Sequence, residues 1–152
     1  MNLYADSRIY LPGTMAIINM TGDRKKIKRV KIEYYNDRMV GKTLIVDNPE
    51  PLKVVGHTKF TYTDSHISFD YWQISVEWTW SDSDVIITSK GKNNFYCNIS
   101  PNDNGLVLIS LHLDPTELGT INEDNYARVF FSNSLGCYES LINQASTKNI
   151  NN

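Results

Sequence analysis

Residues 66–80 read HISFDYWQISVEWTW, and the parity of this stretch decides the fold. From Trp72 onward apolar residues alternate with polar ones: Trp72, Ile74, Val76, Trp78 and Trp80 against Gln73, Ser75, Glu77 and Thr79. Neighbouring side chains on a strand point to opposite faces, so this half is a strand with one apolar and one polar face. The first half runs in the other phase, with Ile67, Phe69 and Tyr71 against His66, Ser68 and Asp70. Tyr71 and Trp72 are adjacent and both apolar, and a straight strand cannot send both inward. A β-bulge at these two residues resets the parity, because it adds one residue to one strand only. Without the bulge, Tyr71 lies on the face opposite the tryptophans. The clean second half suits a sheet packed about 10 Å from another sheet. The tryptophans then belong to the core, each burying on the order of 150–250 Å². Trp80, beside SDSD at 81–84, is the tryptophan best placed to reach solvent and a ligand.

On both sides of that strand, short apolar runs alternate with clusters of Asn, Asp, Gly, Pro and Ser, the pattern of an all-β chain. Strands are expected at 15–20, 27–35, 42–46, 52–62, 85–88, 95–99, 106–113 and 127–131. Asn36 and Asp37 suit a tight turn. The two prolines in DNPEP, 47–51, end the strand before them. KGKNN at 90–94 and SPNDNG at 100–105 are further turn signals. Tyr138, Leu141 and Ile142 share one face at helical spacing, so one short C-terminal helix is expected over about 134–145. Eight or nine strands in 152 residues predict an antiparallel β-sandwich in a single domain, 1–152. A small β-barrel and an open sheet under one helix are the alternatives.

Composition narrows the function classes. A hydrophobic share of 41% and a charged share of 21% fit a packed domain rather than a disordered chain. A formal charge of -2 argues against a general nucleic-acid binder. No apolar run approaches the roughly 20 residues that span a bilayer. Residues 1–20 lack a basic segment followed by an apolar one, so no secretory signal is expected. Cys97 and Cys137 do not make a disulfide framework, although one bridge between them is compatible with the sequence. The expected location is cytoplasmic. Frequent Asn, Ile, Lys and Tyr point to an AT-rich gene, as in a bacterium, phage or mobile element.

The strongest charge feature is DRKKIKRVK, 23–31. Arg24, Lys25, Lys26, Lys28, Arg29 and Lys31 are candidate binding residues for an acidic partner. The plainer reading is a solvated edge strand whose lysines deter edge pairing. Base-stacking aromatics are absent from the run until Tyr34 and Tyr35, so no specific nucleic acid is expected. Asp82 and Asp84 lack the spacing of a calcium loop. His57, His66 and His112 form no zinc pattern, so neither metal nor cofactor is expected. No catalytic motif stands out. An enzyme site would have to be assembled from distant strands, for example His112 or His66 with Glu77 or Asp114.

The expectation is therefore a non-catalytic protein that binds a protein partner. An inhibitor or immunity protein that blocks a toxin or host factor by steric occlusion fits this class, with basic residues steering association. A lectin-like or membrane-binding sandwich, taking glycan or lipid near Trp80, is the alternative. An edge strand also leaves room for a homodimer.

Overall fold

The computed structural model describes residues 9–21, 26–36, 41–64, 69–80, 83–89, 95–99, 103–113 and 125–143. They form ten strands: β1 Ile9–Asn19, β2 Lys26–Asn36, β3 Gly41–Asp47, β4 Val54–Asp64, β5 Asp70–Trp80, β6 Ser83–Ser89, β7 Phe95–Tyr96, β8 Leu106–His112, β9 Tyr126–Phe131 and β10 Ser134–Asn143. The ladder path runs β3-β2-β5-β6-β10-β9-β8-β1-β4, and the short β7 pairs β5 beside it. This is a β-sandwich. The front sheet is β3, β2, β5 and β6 with β7; the back sheet is β4, β1, β8, β9 and most of β10. Among the described residues no ladder joins β3 to β4, so the path does not close into a barrel. Among the described strands every ladder is antiparallel except that of β1 with β8.

The described part of the opening stretch, residues 69–80, runs straight, and 66–68 lie outside the described residues. Tyr34, Tyr35 and Asn36 of β2 face Trp72, Tyr71 and Asp70 of β5 in unbroken register. Trp72, Ile74, Val76 and Trp78 are buried and form β5's share of the core. The expected bulge at Tyr71–Trp72 is absent, and Tyr71 faces outward. The irregularity in this ladder lies in β2, between Ile27 and Arg29. Ile27 and Val30 are both buried although three positions apart, which strict alternation forbids. Lys28 is the extra residue that reconciles them. β2 is also no edge strand: β3 pairs it on one side and β5 on the other.

The back sheet supplies Met15, Ile17, Phe60, Tyr62, Ile109 and Val129 to the same core. A second bulge sets Gly56 and His57 of β4 against Ala16 of β1, and Gly56 takes the left-handed φ of 80° that such bulges favour.

The expected helix at 134–145 is replaced by β10 over its described part. Ser132 and Asn133 make a tight turn out of β9, and the chain returns as its hairpin partner. Gly136, at φ 65°, sits in a bulge where a Cβ would overlap the Val129 carbonyl. The bulge resets parity so that Cys137 and Leu141 face inward and Tyr138 faces outward. Tyr138, Leu141 and Ile142 would share a face at helical spacing, but the hairpin pairs the backbone and separates Tyr138 from Leu141 onto opposite faces. β10 then leaves the back sheet: Ser134–Ser140 pair β9, while Leu141–Asn143 pair β6 of the front sheet. Among the described residues no helix is long and apolar enough to cross a membrane.

Candidate functional site

The outer face of the front sheet carries one residue from each alternate position of β2 and β5. Tyr34 and Trp72 point into the core, so Tyr35 and Tyr71 point out. They are cross-strand partners, and their rings stack at 4.8 Å with an interplanar angle of 10°. Tyr96 of β7 pairs Tyr71 from the other side, at 4.8 Å and 53°. Phe69 lies 5.4 Å from Tyr96. The four rings form a continuous aromatic patch, with Phe69 45% and Tyr96 60% exposed.

A buried polar clamp holds the patch. Asp70 is 2% exposed, because its parity is that of Trp72 rather than of its polar neighbours. Its Oδ1 accepts from the Tyr34 hydroxyl at 2.5 Å, and its Oδ2 accepts from the Ile99 backbone N–H at 2.8 Å. The Asp70 N–H donates to Asn98 Oδ1, and its carbonyl accepts from the Cys97 N–H. Trp72 Nε1 donates to the Cys97 carbonyl at 2.8 Å. Burial, then the nearby Asp70 carboxylate, push the Tyr34 phenol well above its ordinary pKa, so it stays a proton donor. A Cys97–Cys137 disulfide ties the same segment to β10. The two-residue strand bearing Tyr96 is thus fastened by hydrogen bonds on one side and a covalent bond on the other.

The opposite end of this face is charged. Arg29 Nε contacts Asp47 Oδ1 at 2.7 Å, and Lys31 Nζ contacts Glu33 Oε1 at 3.2 Å. The hydrogen bond to Asp47 raises the Arg29 pKa further. Lys28, Arg29, Asp47, Asn48 and Glu77 line a polar hollow of about 350 Å³. Of the six basic candidates, Lys28, Arg29 and Lys31 are exposed. Arg24 and Lys25 lie outside the described residues, and Lys26 and Trp80 are described in backbone only. Within the described part of the basic run, Arg29 and Lys31 therefore meet carboxylates.

His112 and Glu77 do not converge. His112 stacks on Tyr126 at 4.4 Å on the outer face of the back sheet, whereas Glu77 is on the outer face of the front sheet. Burial, then Arg128, lower the His112 pKa. His66, Asp82 and Asp114 lie outside the described residues. Among the described residues, no group of three or more His, Cys, Asp or Glu is placed to hold a metal ion.

Sequence reasoning missed Tyr35, Phe69, Tyr71 and Tyr96. The signal lay in the doublets YY at 34–35 and YW at 71–72. Each doublet sends one aromatic to each face unless a bulge intervenes. No model of a known protein family matches the chain, and no curated protein matches it either.

Proposed function

We propose that this sandwich is a binding protein that docks a protein partner through the Tyr35–Phe69–Tyr71–Tyr96 patch. The observation that carries the reading is the patch itself: four aromatic rings in contact, partly exposed, on a rigidly clamped sheet face. Tyrosine-rich surfaces of this kind serve as anchors in protein interfaces, where they add contact area at low entropic cost. The ring geometry disfavours a sugar platform. Tyr71 stacks one face on Tyr35 and meets Tyr96 at a tilt of 53°, so its ring is crowded from two sides. A sugar stacks on a free ring face; a protein surface also engages edges and hydroxyls. The charged end, with Arg29, Asp47 and Glu77, provides orientation rather than affinity. Steric occlusion by an inhibitor or immunity protein is the mode that this arrangement serves. The Cys97–Cys137 bridge favours an oxidising compartment over the cytoplasm as the place of action.

The test is affinity capture from the native source with wild type, a Phe69→Ala/Tyr96→Ala double variant and a Tyr138→Ala control. The reading expects one stoichiometric protein with wild type and control, and its loss with the double variant at unchanged thermal stability. Equal capture by all three, or saturable binding of wild type to glycans but to no protein, overturns it.

A further inference from the structure

The outer face of the back sheet has a composition that the outer face of an antiparallel sheet does not need. Alternation puts Ala16 of β1, Leu106 and Leu108 of β8 and Phe130 of β9 on the solvent side. A one-sided sheet ordinarily carries polar residues there. Instead these side chains, with Val54 and His57 of β4, line an apolar hollow of about 380 Å³. That volume falls in the range of small-ligand sites. Ala16 is only 5% exposed although it faces outward, since it forms the floor between larger neighbours. Leu106, at 55%, forms an open wall. The hollow crosses four strands, about 14 Å at the usual strand spacing.

One cation stands at its rim. Arg128 is two residues before Phe130 on β9, so the two share a face. Its guanidinium carbon lies 4.9 Å from the centroid of the Phe130 ring, which also lines the hollow. Among the described residues no carboxylate forms an ion pair with Arg128, and its Nε–H is buried with no hydrogen-bond partner. Stacking on an aromatic ring is weaker than a charge-assisted hydrogen bond. The side chain therefore has more to gain by turning its planar fork toward a carboxylate.

We propose that this face binds a small carboxylate with a medium-length apolar chain. The chain lies in the hollow over Ala16 and along Leu106 and Leu108, and the carboxylate sits on Arg128. A neutral amphiphile would fill the hollow without pairing the guanidinium, and a cationic one would be repelled by it. The site lies on the opposite side of the sandwich from the tyrosine patch and is independent of it.

Calorimetric titration with octanoate, octanol and octyltrimethylammonium, each below its self-association threshold, tests the assignment. Octanoate should bind saturably, and at least about tenfold more tightly than the cation, the ratio that one charge-assisted hydrogen bond brings. Arg128→Gln should weaken octanoate about tenfold and abolish the preference. Leu106→Glu, at an exposed position that the fold tolerates, should block octanoate without lowering thermal stability. Phe69→Ala/Tyr96→Ala should leave the titration unchanged. Equal affinity for the three head groups, no saturable octanoate binding, or an Arg128→Gln variant that binds like wild type overturns the proposal. So does binding to anionic phospholipid vesicles without binding to octanoate, since the face would then be a membrane patch.

Discussion

At one end of the front sheet's outer face, Tyr71 and Tyr96 ride on a segment held by Asp70, Trp72 and a disulfide. At the other end, Arg29 and Asp47 meet across β2 and β3 with both side chains more than half exposed. The first end is anchored from beneath, by groups taken out of water. Among the described side chains, the second is held by exposed ion pairs that water and salt screen. A surface that must present a fixed shape gains from the first kind of support, because little ordering is left to do on binding. In the sequence the second kind is more conspicuous, since lysines and arginines cluster visibly whether or not their charge is free.

Three variants break or sharpen this contrast. The largest effect is expected from Cys97→Ala/Cys137→Ala. The bridge closes a separation of 40 residues, for which the chain-entropy relation gives about 4 kcal/mol. Urea denaturation should show this loss, and dithiothreitol should reproduce it in wild type. A midpoint insensitive to both would leave the clamp resting on hydrogen bonds alone. Next comes Asp70→Ala, which strips the acceptor from the Tyr34 hydroxyl and the Ile99 N–H inside the protein. Two buried donors left unpaired cost about 3 kcal/mol in the same denaturation experiment. Because Asp70 and the disulfide fasten one segment, the two losses should not add in the combined variant. The smallest effect belongs to Asp47→Ala at the charged end. No measurable shift of the urea midpoint is expected between low and high salt, and a clear shift would show that this end is anchored as well.

Much of the fold was legible from local pattern. Alternation from Trp72 to Trp78 marked the core strand, and clusters such as DNPEP marked where strands stop. The candidate site was less legible. The adjacent aromatics at 71–72 and the residues Ile27 and Val30 each pose a parity problem, and a bulge solves only one of them. The bulge sits at Lys28, a side chain at ease in water, while β5 runs straight and leaves Tyr71 on the outer face. Asp70 misled in the opposite direction. An aspartate next to Phe69 and Tyr71 reads as the solvent side, yet two segments distant in sequence, Tyr34 of β2 and residues 98–99, supply its hydrogen bonds and make burial tolerable.

By itself, the sequence determined that this chain is built of strands, and that Trp72, Ile74, Val76 and Trp78 of β5 face inward. Those features depend on side-chain periodicity and turn chemistry, which act over a few residues. Tertiary structure alone decided the strand order, the fate of β10 as strand rather than helix, the disulfide, and the exposure of the tyrosines. Each of these depends on what lies across a sheet or across the sandwich, and periodicity along the chain carries no record of that partner.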